Sequence, residues 1–422
     1  MSERWLILAD DLTGAADAGI AFARRGIRTV VTWGDAPAGD FDAATVLAYD
    51  CDSRRLSAAE AAERQRAAAV RYLGRSAPPA VLYKKIDSTL RGQPAAEIAA
   101  LCAVLNVAGP RAYGILAPAN PAMGRTTRDG RVFVHGEPLE DTETWRREHT
   151  YPSANLADMV AGAGLRAINL PLDVVRAGGA PLHTAVAVAA QAAAASIPGT
   201  ILVCDAETPE DLTRIAAAAQ AARTPGFFIG TAGLANALAE SLPRAELQPV
   251  TIAPTRTGAL IVVGSLASTA RTAGRALAAS DGVRHVHFSS QSLLGADARA
   301  RTNMALDIRA QLDRGVDVLV EMPAAVAPDL SIGPALVRAL ATCLTPALSR
   351  MSGLIVTGGE TAAAMLRQCY VGQIRLVDEI EAGISLGLMI GSSEVPLVTK
   401  PGAFGDAHSL IRSLARLRWR FL

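Results

Sequence analysis

Short apolar runs recur along this chain, separated by longer amphipathic or alanine-rich stretches. Trp5–Ala9, Thr29–Trp33, Thr45–Tyr49, Val81–Lys84, Tyr113–Ala117, Arg166–Leu170 and Thr200–Cys204 have the length and β-branched content of buried strands. The segments that begin near Ala15, Ser57, Ala95, Leu182 and Thr208 have helical character and lie between them. Strand and helix in alternation predict an α/β fold with a mainly parallel sheet.

Residues 118–152 break the pattern. They are rich in Gly, Pro, Thr and charge, and predict long loops with a short hairpin around Arg131–His135. A second break, SLPRAELQPVTIAPTRTG, carries prolines and charges without a period and reads as a linker. Beyond it the alternation resumes, with strands expected at Ala259–Val263, Val283–Phe288, Val316–Glu321, Gly353–Val356 and Val395–Thr399. The expectation is therefore two α/β domains, residues 1–240 and 258–422, with an active-site cleft between them.

Composition narrows the class. Of 422 residues, 50% are hydrophobic and 19% charged, enough apolar material for two packed cores. A formal net charge of +1 gives no electrostatic case for nucleic acid or a membrane surface. The apolar stretch most worth checking as a membrane span, Thr184 to Ile197, is too short to cross a bilayer. The opening MSERWLILADD runs straight into a strand and lacks the features of a signal peptide, so a cytoplasmic protein is expected. Five cysteines, none in CxxC spacing, indicate neither a disulfide framework nor a zinc site. His285 and His287 alternate in an expected strand, where a structural role is the simplest reading.

Candidate chemistry gathers where strands end, because ligands of open α/β sheets bind at the carboxyl ends of strands. LILADDLTGAADAG delivers Asp10 and Asp11 there. Two carboxylates can orient hydroxyls, accept a proton or hold a metal, although either Asp11 or Thr13 would also cap the following helix. VLYKKIDSTLRG brings Lys84, Lys85, Asp87, Ser88, Thr89 and Arg91 into one turn, a set suited to a carboxylate that bears hydroxyls. YDCDSRR adds Asp50, Asp52, Ser53 and Arg54, where Arg54 is either a second carboxylate clamp or a surface ion pair. The loop APANPAMGRTTRDG supplies Asn120, Arg125, Thr126 and Thr127, either as a wall of the same site or as a loop without a ligand.

The second domain offers glycine-bearing loops after three strands. These are Gly264-Ser265, then Gly358-Gly359 with Glu360 and Thr361 at a helix start, then Gly402 and Gly405. Glycine lets backbone approach a phosphate, and helix N-terminal amides hold the anion, so the set predicts a nucleotide site. Neither GxxxxGK[ST] nor a GxGxxG after the first strand is present, which argues against Walker-type and dinucleotide sites.

ADDLTGAADAG, KKIDSTLRG, PANPAMGRTT, GGET and TKPGAFGD, in this order and over nearly the whole chain, resemble the motifs of the four-carbon acid sugar kinases. The resemblance implies a transferase that phosphorylates the terminal hydroxyl of threonate, erythronate or 3-oxo-tetronate. It implies an N-terminal domain that binds the acid through Asp10, Arg54 and Lys85–Ser88. It also implies a C-terminal domain that binds ATP through Ser265, Gly358 to Thr361, and near Gly402. Asp10 or Asp11 is then the candidate to orient or deprotonate the acceptor, and Mg²⁺ is expected on the phosphates. The partners are the sugar acid and ATP, with no nucleic acid or membrane, and a homodimer is compatible with this reading. A nucleotide-gated sugar-acid sensor without catalysis and a sugar-acid dehydrogenase are the competing readings.

Overall fold

The computed structural model describes residues 3–34, 45–74, 79–108, 113–195, 199–222, 226–246, 256–322, 332–391 and 394–418. These form two compact units, Met1–Thr29 with Gly39–Glu246, and Val30–Ala38 with Leu247–Leu422. Residues 247–255, the middle of the expected linker, lie outside the described residues.

Strands are numbered in chain order. The first unit holds β1 (Trp5–Ala9), β3 (Val46–Asp50), β4 (Val81–Lys85), β5 (Tyr113–Ala117), β9 (Arg166–Leu170), β10 (Thr200–Cys204) and β11 (Gly226–Gly230). They lie in the order β3-β1-β4-β11-β5-β10-β9, and the pairings within it are all parallel. Strand β11 runs through the middle of this sheet, yet its GFFIG is too short and glycine-bound to predict from periodicity. A separate antiparallel sheet, β6 (Arg125–Arg128), β7 (Arg131–Val134) and β8 (Glu137–Pro138), extends the hairpin expected near residue 131.

Parallel strands are covered on both faces, so they read as continuous apolar runs. Leu6, Ile7 and Leu8 of β1 are fully buried, and Trp5 lies with its ring centroid 5.0 Å from that of Phe22. Each such large side chain contributes roughly 1.5–3 kcal/mol through burial. Helix starts follow their polar signals. Ser57 and Glu60 form a capping box on the helix Ala58–Leu73, and Thr208 and Asp211 form another on Pro209–Gln220.

The second unit holds β12 (Leu260–Val263), β13 (Val283–His287), β14 (Asp317–Glu321), β15 (Leu354–Thr357), β16 (Gln373–Glu381), β17 (Ile384–Ile390) and β18 (Val395–Lys400). The order is β13-β14-β12-β15-β18-β17-β16, and β2 (Thr29–Trp33) pairs antiparallel with β16. Val30 to Trp33 thus belong to the second unit, although they lie early in the chain. The pairs β16–β17 and β17–β18 are also antiparallel, so the sheet is mixed. Ile261, Val263, Leu319, Ile355, Leu386, Val398 and Leu410 share one buried core. Among the described residues no helix is long and apolar enough to cross a membrane.

Candidate functional site

In the first unit, three adjacent parallel strands end side by side. Ala9 of β1 pairs with Asp50 of β3 on one side and with Lys85 of β4 on the other. The residues that follow them, Asp10-Asp11, Cys51 to Arg54 and Ile86 to Arg91, therefore emerge along one sheet edge. The chain leaves β1 for β3 on one side and later returns to β4 on the other, the kind of switch point where α/β sheets bind ligands.

The charged side chains at this edge hold one another. Asp10 Oδ2 accepts a hydrogen bond from Arg54 Nε at 2.7 Å, and Oδ1 accepts one from Nη2 at 2.9 Å. Arg54 Nη1 donates to Asp11 Oδ2 at 2.6 Å. Asp87 takes both Nε and Nη2 of Arg91, at 3.0 and 2.8 Å. Burial works against ionisation of Asp10 and Asp87, but the neighbouring guanidiniums outweigh it. Arg54 lowers the pKa of Asp10, and Arg91 with Arg54 holds Asp87 well below the ordinary carboxylate range.

Asp11 has a structural task as well. Its Oδ1 accepts from the Gly14 amide at 2.7 Å, capping the helix Leu12–Ala23, and its Oδ2 accepts from Thr13 Oγ1. One side chain thus caps the helix and also contacts Arg54.

Lys84 and Lys85 separate. Successive strand residues point to opposite faces. Lys84 is fully buried, with Nζ 2.8 Å from Glu97 Oε2, and Ser53 Oγ donates to the other oxygen of Glu97. Lys85 Nζ donates to the Ile86 carbonyl at 3.0 Å and lies 3.8 Å from Asp17 Oδ2. The lysine cluster expected from sequence is thus a buried pair on one face and a cation near the Asp11–Gly14 turn on the other. Ser88 is half-buried in the turn between them and Arg91.

Asp50 differs from its neighbours. Burial, with Asp11, Asp52 and Asp10 nearby, pushes its carboxyl up to about 8 against the opposing pull of the Asp52 amide. That amide donates to Asp50 Oδ1 at 2.7 Å from a residue at φ +50°, a left-handed conformation held by this bond. Arg125 of the 117–130 loop is close enough to feel Asp87 and Arg91, though burial dominates and lowers its proton affinity.

In the second unit, the glycine loops after β12, β15 and β18 meet. Val263 pairs with Thr357, and Thr357 pairs with Lys400, so the loops leave adjacent strand ends. A Cβ on Gly264 would lie 2.0 Å from Thr361 Oγ1, and one on Gly402 would lie 2.0 Å from Ser265 Oγ. Glycine is required because the loops touch. The helix Gly359–Gln368 starts at Gly358 (φ +89°) without a side-chain cap, and so does the helix Ser268–Ala278 at Ala267. Uncapped first-turn amides are what an anion needs. Ser265, Gly358, Gly359, Thr361 and Gly402 come together here, and Glu360 is exposed on the first turn of the helix. Gly405 sits further along, where a Cβ would meet Ser409 Oγ and Glu381 Oε1 at 2.2 and 2.9 Å.

Sequence reasoning passed over Lys400 and Glu381. Lys400 ends β18 fully buried, and burial lowers its ammonium to about 8 despite Glu381 and Asp406. A lysine closing an apolar strand was the available signal, the same one that marked Lys84 and Lys85. Glu381 Oε1 is buried without a hydrogen-bond partner, while Oε2 is held by Arg412. Nothing local marks Glu381 in the sequence.

Each half of the chain matches a described protein family. Residues 5–238 match a family described as the sugar-binding N-terminal domain, and residues 260–410 match the nucleotide-binding C-terminal domain. A D-threonate kinase of Cupriavidus necator is 42% identical, with 96% of each chain covered. A D-threonate kinase of Salmonella typhimurium is 31% identical, with 97% of each covered. A crystal structure of another Salmonella typhimurium LT2 protein shares the fold, with TM-score 0.78, 20% identity and coverage of 97% of this chain and 98% of that one. By its motifs, its two matched domains and its full-length relatives, this chain belongs to the four-carbon acid sugar kinase family.

Proposed function

We propose that this chain transfers the γ-phosphoryl group of ATP to the terminal hydroxyl of a four-carbon sugar acid, with D-threonate as the first substrate to test. The observation that carries the reading is the 42% identity to a D-threonate kinase over 96% of both chains. Residues 1–240 would bind the acid and residues 258–422 the nucleotide, in keeping with the two family descriptions.

On the acid side, Arg54 spends three of its five N–H donors on Asp10 and Asp11 in the bonds described, which leaves donors for a substrate carboxylate. Arg91 is arranged in the same way on Asp87. Lys85 and Ser88 complete the set, and Lys84 acts from beneath through its ion pair. Asp10 stays ionised at neutral pH and is a weak base, so its role is to accept and aim the acceptor hydroxyl. Phosphoryl transfer has a loose transition state and needs little more.

On the nucleotide side, the start of the helix Gly359–Gln368, with Ser265 and Gly402, would take the phosphates, and Lys400 would add charge. The orphaned Glu381 oxygen beside Gly405 fits a hard cation, and Asp406 lies near it in the same loop region. Bound Mg²⁺ would neutralise charge on the phosphate oxygens.

ADP release measured against a panel of D-threonate, L-threonate, D-erythronate and 3-oxo-tetronate, with NAD(P)H absorbance followed in parallel, tests the reading. Acid-dependent ADP release with flat absorbance is expected. Nucleotide binding without turnover would favour the sensor, and an absorbance change would favour a dehydrogenase. A cytoplasmic location and a homodimer fit this reading, and fractionation and light scattering test them.

A further inference from the structure

We propose that His285, His287 and Glu321 form a binding site for one divalent transition-metal ion of the zinc class, separate from the phosphate loops. In the sequence the two histidines are merely two apart; strand pairing supplies the third donor. His285 and His287 lie on one face of β13, the end strand of the order given above, and Glu321 on β14 is the register partner of His287. One ligand atom from each of the three can be chosen so that all lie within 4.8 Å of one another. His285 Nε2 is 3.2 Å from Glu321 Oε2, and the two imidazole centroids are 3.9 Å apart. Donors on a tetrahedral zinc ion with bonds of about 2.0–2.1 Å stand roughly 3.3–3.5 Å from one another. The exposed His287 ring is free to rotate and close the wider gap.

The Glu321 carboxylate supplies the negative charge that a cation needs here. The Glu321 side chain is only 6% exposed, and Arg271 Nη2 is 3.8 Å from its Oε1, beyond hydrogen-bond range. This nearly buried carboxylate thus turns one oxygen toward the imidazoles and the other toward a guanidinium. Two imidazoles with one carboxylate select zinc, cobalt or nickel over magnesium or calcium. Three protein donors leave a fourth position open.

The test uses the full-length chain, freed of metal with a chelator and then dialysed. Zn²⁺ titration by calorimetry should show a site that His287→Ala weakens by more than about 100-fold. Loss of a mere outer partner already costs roughly 10- to 100-fold. Co²⁺ should give visible absorption bands in the parent that His287→Ala and Glu321→Gln abolish. Zn²⁺ should raise the Tm of the parent but not of His287→Ala. His408→Ala, remote in sequence from the cluster, should bind as the parent does. Equal Zn²⁺ affinity and equal Co²⁺ bands in parent and His287→Ala would overturn the proposal, as would a parent without bands. His287 is exposed, so its removal leaves the fold intact even if His285→Ala, which breaks the bond to Glu321, does not.

Discussion

Arg54 is bound to Asp10 twice over. Its guanidinium forks the Asp10 carboxylate at 2.7 and 2.9 Å, and its own amide donates to the Asp10 carbonyl at 3.1 Å. The loop after β3 is thereby laid against the end of β1 by backbone as well as side chain. Asp10→Asn should lower kcat by about 10²-fold, because the acceptor hydroxyl loses the carboxylate that aims it. It should also weaken the acid, because Arg54 loses its anchor. The lowered pKa of Asp10 predicts that no acid limb assignable to it falls between pH 5 and 8. Steady-state kinetics across that range check both statements, and a near-parental kcat and acid KM in Asp10→Asn would remove it from the site.

Arg54→Lys and Arg91→Lys keep charge and lose the fork. A charge-assisted contact of this kind is worth roughly 1.5–3 kcal/mol, about 10- to 150-fold in binding. The KM for the sugar acid should rise by that order while the KM for ATP stays within a few-fold. Equal turnover of the acid and the matching neutral polyol by the parent would argue against any carboxylate clamp.

Lys84 and Lys85 should part company under mutation. Removing one partner of a buried ion pair costs about 3–5 kcal/mol, because the other charge is left unpaired. Lys84→Met should therefore lower stability strongly, and adding Glu97→Leu should recover part of the loss. Lys85→Ala should cost less stability and more acid affinity. Urea unfolding beside kinetics for all three variants separates the effects.

Gly402 touches Ser265 too closely for any side chain, since a Cβ would stand 2.0 Å from Oγ and 2.9 Å from the Ser265 Cβ. Overpacking costs about 1–3 kcal/mol, so Gly402→Ala should raise the ATP KM by about 5- to 150-fold by pushing the loops apart. The double variant Gly402→Ala, Ser265→Gly removes the clash and should bind ATP better than Gly402→Ala alone. Acid binding should not move in either.

Asp50 gives a stability signature. Its carboxyl sits near 8 in the fold against an ordinary value of 3.8, so the native state binds a proton that the unfolded state has lost between those pH values. Its contribution to stability then falls as pH rises from about 4 to about 8. Asp10 and Asp87, with lowered pKa, act in the opposite sense and only below that window. Tm measured from pH 5 to 8 should fall less steeply in Asp50→Asn than in the parent, and parallel curves would refute the assignment.

The elements whose burial is uniform can be read directly from the residues. Runs such as WLILA and TILVC are apolar on both faces, because a parallel strand is covered on both, so their ends are legible to within a residue or so. The sequence also marks which residues stand at strand ends, and with them Asp10, Arg54 and Arg91, and the glycines after β12, β15 and β18. Which of these face one another depends on packing in three dimensions. Pleating sends Lys84 beneath the sheet and Lys85 to the other side, and a cluster of letters cannot show that when both positions are buried. Strand pairing alone brings Thr29–Trp33 to β16, 340 residues on in the case of Thr32 and Gly372, and sets Glu321 beside His285 and His287. Such pairings are fixed by which hydrogen-bonding edges meet when the chain closes, a choice made between segments far apart in sequence and written in neither one.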